Sequence, residues 1–257
     1  MARSAVPVEG MILAAGAGTR LRPLTEKVPK ALIEVGGRPM LAWVLERLAE
    51  VGVSRVVVNT HHHQDQIRAY LAGPGRRWGL EIAISPEPEG PLDTGGGLFK
   101  AAPLFEGHRP ILLHNVDVIS EIDFSAVLQQ HRRITSSPDS KVIASLAVQD
   151  RGSTRTLLFD DLGLLGWENR GCDHAREGRV EVRKPWGEVR SFSFSGIHVL
   201  EPSIFALSQR TGAFSIISLY LDLAREGWQI IPVDVTGQAW FDIGTPEKLE
   251  RARAWAG

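Results

Sequence analysis

Within its first 120 residues the chain keeps repeating one pattern. A short apolar run gives way to a glycine-bearing or polar turn, and then to apolar residues at helical spacing. The apolar runs (MILAA from Met11, VSRVVVN from Val53, LEIAIS, RPILLHNVDV) are too short for buried helices and read as strands covered on both faces. Helices between successive strands demand crossover connections, which make the strands parallel. In PMLAWVLERLAEVG, Met40, Leu41, Val44, Leu45, Leu48 and Val51 share one helical face, with Pro39 suited to the first turn and Gly52 to the stop. QDQIRAYLAG reads as the next helix, and TGGGLFKAAPLF as a glycine turn continuing into a helix. The expected fold is α/β: a doubly wound, mostly parallel mixed sheet with helices on both faces.

After Asp123 the alternation lapses. KVIASLAVQ, RTLLFD and SFSFSGIHVL are strand-like with no regular helix between them, which suggests antiparallel additions to the sheet. Residues 168–190 are polar and glycine-containing, as in an exposed loop or hairpin. FSIISLYLDLAREG reads as a buried helix, and IIPVDVTG and QAWFDIG as the last strands. TPEKLERARAW is a closing helix with Thr245 as its N-cap and Pro246 at its first position. No repeat or linker interrupts the chain, so a single domain over residues 1–257 is expected.

Composition narrows the function. A formal net charge of -1 supplies no basic field for nucleic acid. The single cysteine, Cys172, excludes a disulfide framework and a multi-cysteine metal site, and it sits in a polar loop without an evident base. No apolar run reaches the roughly 20 residues of a membrane span, and the N-terminus lacks the apolar core of a signal peptide, so a cytoplasmic protein is expected.

The loop after the first strand, LAAGAGTRLRPLTEKVPKAL, carries the most chemistry. Gly16 and Gly18 let backbone N–H groups approach phosphate oxygens, while Arg20, Arg22 and Lys30 add mobile cations and Pro23 and Pro29 stiffen the excursion. Leu21 stands where a dinucleotide fingerprint needs its third glycine, and no Gly-Lys-Ser/Thr occurs. A triphosphate suits so many donors; a solvated surface loop is the alternative.

GMILAAGAGTRLRPLT followed by PKAL resembles the signature of the sugar-1-phosphate nucleotidylyltransferases. With LDTGGGLFKA, LHNVDV, FSGIHVL and WFDIGTPEKL in this order, the chain is most similar to the branch of N-acetylmuramate-1-phosphate uridylyltransferases and small mannose-1-phosphate guanylyltransferases. The resemblance implies a Rossmann-like nucleotidyltransferase fold with a nucleotide-binding half at about residues 8–122 and a sugar-binding half at about 123–257. It implies that a sugar-1-phosphate attacks an NTP and releases pyrophosphate, UTP with an N-acetylmuramate-1-phosphate-like acceptor first and guanylyl transfer to mannose- or heptose-1-phosphate second. A catalytically silent nucleotide-sugar-binding subunit is the rival of another class. Retention of Arg20, Lys30, Asp117 and Asp242 argues against it. Any oligomer would form through this domain, as a monomer or homodimer.

The same resemblance assigns residues. Ala14, Ala15, Gly16, Ala17, Gly18 and Thr19 would surround the nucleotide phosphates, with Arg20 on the departing pyrophosphate and Lys30 on the α-phosphate or the sugar phosphate. Asp117 and Asp242, both at strand ends, would hold Mg²⁺, although either alone could be a turn or cap residue. Glu87, Thr94 and Gly95 would lie near the base and ribose, Glu87 being equally readable as a plain loop carboxylate. Asn115, Glu168, Ser195 and Gly196 would line the sugar pocket. Two departures stand out. Asn169 follows Glu168 where relatives carry a lysine, with Lys184 of RKP as a rival placement, and Val116 precedes Asp117 where relatives often have glycine. His61, His62 and His63 read as structural, because neighbouring side chains on a turn diverge. His114 and His198 read as satisfied polar groups, and Trp43, Trp78 and Trp228 as packing.

Overall fold

The computed structural model describes residues 7–171 and 178–257; Cys172 and the first six residues lie outside the described part. Among the described residues, fourteen strands and six α-helices follow in order: β1 Glu9–Leu13, β2 Glu34–Val35, β3 Arg38–Pro39, α1 Met40–Glu50, β4 Arg55–Thr60, α2 Gln64–Ala72, β5 Glu81–Pro86, α3 Asp93–Ala101, β6 Ile111–Asn115, β7 Val118–Ser120, α4 Phe124–Thr135, β8 Val142–Gln149, β9 Arg155–Asp160, β10 Gly163–Asn169, β11 Arg179–Glu181, β12 Arg190–Leu200, α5 Ile216–Arg225, β13 Gln229–Asp234, β14 Trp240–Asp242 and α6 Pro246–Ala256.

Strands β6, β1, β4 and β5 lie side by side in parallel, as the crossover helices require. Their alternation sorts side chains onto two faces. Ile12, Val56, Val58 and Leu112 pack beneath α1, α2 and α4, whereas Met11, Val57, Ile111 and Leu113 pack beneath α3 and α5. The sheet continues through β12, antiparallel to β6, to β9, β10 and β11, while β8 and β13 branch from β12. The expected mixed sheet with helices on both faces is therefore present. A third apolar cluster (Leu21, Ile33, Val35, Met40, Ile119, Ile243, Leu249, Ala252) seats the opening loop on α6 and β14.

Three elements differ from the sequence expectation. Helix α4 occupies residues left unassigned after Asp123, and the Asp123 carboxylate caps it by accepting from the Ala126 amide at 3.0 Å. GLLGWEN forms β10. The glycines of TGGGLFKA are not a turn but the first turns of α3. Their lack of a side chain serves packing: a Cβ on Gly95 would lie 2.4 Å from the Phe214 ring, and one on Gly96 would lie 2.2 Å from the Gly212 carbonyl oxygen.

Candidate active site

Registers across the parallel strands place Asn115, Leu13 and Asn59 in one row at the carboxyl edge of the sheet. Ligands of open α/β sheets bind at this edge, because the loops leaving it diverge. An open cleft of about 290 Å³ lies there, lined by Ala15, Gly16, Gly18, Thr19, Arg20 and Lys30 of the opening loop, with Asn59, Asp93, Thr94, Asn115, Val116, Asp117 and Gly244 around it.

The opening loop is held from behind. Gly18 adopts φ +63°, and a Cβ there would meet Thr25 Cγ2 at 2.8 Å, so glycine suits the position on both counts. The Thr25 hydroxyl donates to the Gly18 carbonyl at 3.0 Å. The three histidines are also part of this support. A His61 ring nitrogen meets the Glu87 carbonyl at 2.7 Å, His62 that of Thr25 at 2.8 Å, and His63 that of Glu26 at 3.1 Å. Each ring therefore faces a backbone acceptor, in agreement with a structural role.

Asn59 and Glu87 form a second support. The Ala14 amide donates to Asn59 Oδ1 at 2.6 Å, Asn59 Nδ2 donates to Glu87 Oε1 at 2.7 Å, and the Leu92 amide donates to Glu87 Oε2 at 2.7 Å. Both carboxylate oxygens are engaged and the residue is 1% exposed, so Glu87 braces the cleft from beneath and is not among its lining residues. The Gly95 amide donates to the Phe214 carbonyl at 2.9 Å, which commits it to the fold. Thr94 does line the cleft, and its hydroxyl oxygen accepts from the Ile216 amide at 2.9 Å.

A small ladder sets the backbones of the two aspartates on adjacent rungs, Asp117 lining the first cleft and Asp242 a second. β7 and β14 pair antiparallel with Asp242 opposite Val118, and the Ile243 amide donates to the Asp117 carbonyl at 3.0 Å. Asp117 Oδ2 accepts from Lys30 Nζ at 2.5 Å, and Asp242 Oδ2 from Lys248 Nζ at 2.6 Å. Asp242 Oδ1 also accepts from the Gly244 amide at 2.9 Å, and a Cβ on Gly244 would lie 3.2 Å from the Arg20 guanidinium. Loop cations and strand-end carboxylates therefore share one region.

Beyond Asp242 a second cleft of about 470 Å³ opens, lined by Gln149, Arg151, Trp240, Asp242, Lys248 and Arg251 among others. Sequence reading missed Arg151 and Trp240. Arg151 lies 3.4 Å from the Trp240 ring centroid, and its guanidinium donates to the Phe194 carbonyl at 2.7 Å. Desolvation lowers its pKa to about 10, against the opposing pull of Asp242. The Trp240 indole N–H donates to the Ser195 carbonyl at 2.8 Å. Ser195 itself is fully buried, so its carbonyl is what shapes the site. Gly196, at φ +73°, stands in an irregular stretch of β12 where a Cβ would press on Asn115 at 2.7 Å.

Glu168 is buried under Arg170 and Arg179 and also accepts from Ser191 and Thr156. Burial would raise its pKa, but these hydrogen bonds hold it below the usual carboxylate range. Asn169 pairs with Arg155 at the start of β9. Lys184 is exposed at the opposite end of that strand, where Arg183 is locked to Asp160 by two 2.6 Å bonds. Lys184 and Asn169 thus stand at opposite ends of β9, and neither is among the residues lining the two clefts.

His114 and His198 are buried. Desolvation depresses His114 to about 4 and His198, with help from His114, to about 3. His198 Nδ1 lies 2.6 Å from the Tyr220 hydroxyl, so both are neutral packing groups.

A glycine-loop cleft with cations and strand-end carboxylates, at the carboxyl edge of a mixed α/β sheet, defines a nucleotide-handling transferase. The chain belongs to the nucleotidyl transferase family, whose match spans residues 9–255, and by class it is a sugar-1-phosphate nucleotidylyltransferase enzyme. It is similar to the N-acetylmuramate alpha-1-phosphate uridylyltransferase of Neisseria meningitidis, at 34% identity over 97% of this chain and 99% of that protein. It is 32% identical to the enzyme of the same description from Caulobacter vibrioides, over 98% of each chain. Among solved structures, the inositol-1-phosphate CTP transferase of T. maritima superposes with a TM-score of 0.72 at 18% identity, covering 98% of this chain and 97% of the other. No helix among the described residues is long and apolar enough to cross a membrane.

Proposed function

We propose that the chain transfers a uridylyl group from UTP to an N-acetylmuramate-1-phosphate-like acceptor, with Mg²⁺ as cofactor. One observation carries the reading: the opening loop, Arg20, Lys30, Asp117 and the Asp242 turn converge at one sheet edge in a chain collinear with two uridylyltransferases. An acceptor phosphate oxygen forms a bond to the α-phosphorus as the bridging bond to the β-phosphate breaks, and pyrophosphate leaves. Two anions must meet in line, so positioning and charge neutralisation supply the catalysis.

In this reading the backbone of residues 15–19 cradles the phosphates, Arg20 neutralises the departing pyrophosphate and Lys30 the α-phosphate. Residues 8–122 carry the nucleotide and residues 123–257 the sugar. Asp117 and Asp242 fit Mg²⁺ in their chemistry, being hard oxygen donors on neighbouring rungs whose present counter-charges are lysine ammoniums. No cluster of three or more acidic, histidine or cysteine side chains occurs there among the described residues, so phosphate oxygens and water would complete the coordination. Bound, the ion would offset charge on the phosphates. Pyrophosphate release across four NTPs and a panel of sugar-1-phosphates, with Mg²⁺ or with EDTA, tests the reading. UTP with N-acetylmuramate-1-phosphate should lead and EDTA should abolish release. A preference for GTP with mannose-1-phosphate would reassign the substrates, and silence with every pair would leave a binding protein.

A further inference from the structure

Arg151 is a half-buried cation without a carboxylate within 4.0 Å among the described residues. Other partly buried arginines here have one: Arg183 pairs with Asp160, and Arg55 with Glu9 and Glu81. Its remaining contacts are the Phe194 carbonyl and Gln149 Oε1 at 3.4 Å, which leave guanidinium donors unspent. Asp242 acts on it only from beyond ion-pair distance; a desolvated charge without a contacting counter-ion is costly, and an oxyanion ligand offsets that cost.

Its surroundings say where that ligand sits. Arg151 and Ser153 line both the second cleft and a third of about 340 Å³ that also includes Arg155, Thr156 and Trp167. Trp240 and Asp242, two residues apart on β14, project to the same side. The tryptophan ring over which the guanidinium lies and the carboxylate beside the catalytic cleft therefore point together. On the neighbouring edge, Arg170 and Arg179 are already spent on Glu168, and Asn169 is uncharged.

We infer that Arg151 holds the anomeric phosphate of the acceptor sugar, with Arg155 as a solvent-exposed second cation on the same cleft; this rests on the sugar-1-phosphate reading above. The stack on Trp240 fixes the guanidinium plane, so two N–H groups are presented together, the geometry that suits a phosphate better than a lysine would. Lys30 and Arg20 remain with the nucleotide.

The test is steady-state kinetics of Arg151→Lys and Arg151→Met with UTP and two acceptors, N-acetylmuramate-1-phosphate and N-acetylglucosamine-1-phosphate, whose sugar carries no carboxylate. If the second is not turned over, its competitive inhibition constant serves. Loss of a charged two-point contact should raise both acceptor constants on the order of 10- to 100-fold, with lysine recovering part and the KM for UTP unchanged. Melting temperature and direct UTP titration show whether each variant is folded. A loss confined to the acidic acceptor would assign Arg151 to the sugar's carboxylate and overturn the proposal. Unchanged acceptor constants in an active enzyme would overturn it while leaving the reading of function intact. A wild-type chain inactive with every sugar-1-phosphate would remove both.

Discussion

Glu87→Gln tests the brace beneath the opening loop. In the wild type every donor meets an acceptor along the series Ala14 N–H, Asn59, Glu87 and Leu92 N–H. The ends of the series are both backbone donors, so the two side chains between them must supply three acceptor atoms and one donor. A glutamine in place of Glu87 offers one acceptor too few. With its carbonyl turned toward Asn59, the new amide sets an N–H against the Leu92 amide; flipped, it sets that N–H against Asn59 Nδ2. Flip Asn59 as well and the conflict moves to Ala14. One buried donor is left facing another in every arrangement, at a cost of about 1–3 kcal/mol. For a chain of this size that lowers Tm by roughly 2–10 °C. The design contains its own rescue. Asn59→Asp with Glu87→Gln restores three acceptors and one donor with the charge moved along the series, whereas Asn59→Asp alone sets two carboxylates against each other. Calorimetry or urea unfolding of wild type, both singles and the double variant reads the coupling. The double variant should be more stable than either single, and KM for the nucleotide should follow the same order, because Ala14 enters the loop. An unperturbed Glu87→Gln, or a double variant that merely sums the singles, would refute the series.

Asp117→Asn should abolish turnover and leave the melting temperature within about 2 °C, since it removes one partly exposed ion pair; turnover near the wild-type rate would take Asp117 out of the catalytic site. Gly96→Ala should destabilise by about 1–3 kcal/mol in urea unfolding, because the new methyl meets backbone that cannot swing aside; a neutral effect would mean that α3 is free to shift. His114 and His198 titrate at about 4 and about 3 in the fold, against an ordinary value of 6.5. The unfolded chain then binds more protons below pH 6.5, so their contribution is fully present above it and falls as pH drops toward the folded values. Urea midpoints should decline from pH 7 to pH 5, less steeply in His198→Gln, and identical slopes would exclude His198 as a source.

Local pattern reported what local physics controls. Apolar runs and helical spacing marked the parallel strands and α1, α2 and α5, because burial on two faces leaves its period in the chain itself. The glycine loop and its cations were equally visible, being contiguous. What stayed hidden depends on partners far along the chain. Gly95 and Gly96 pass for a turn until Phe214 and Gly212 come to lie against them, and Glu87 passes for a ligand-facing carboxylate until Asn59 and Leu92 claim both its oxygens. The strand-end positions of Asp117 and Asp242 could be read, but not that β7 and β14 form one short ladder.

Arg151 is the sharpest case. In QDRGST it looks like any turn arginine, and only the Trp240 ring, 89 residues on, gives it a fixed plane and a dry side. Ser195 holds that ring through a backbone carbonyl, an interaction that sequence cannot register because any residue type could make it. In the proposed reading the acceptor side is thus built by backbone irregularity and long-range stacking, whereas the nucleotide side is built by one continuous loop. That difference in construction explains why the glycine loop and its cations could be located in the chain, whereas the Arg151–Trp240 contact required the fold.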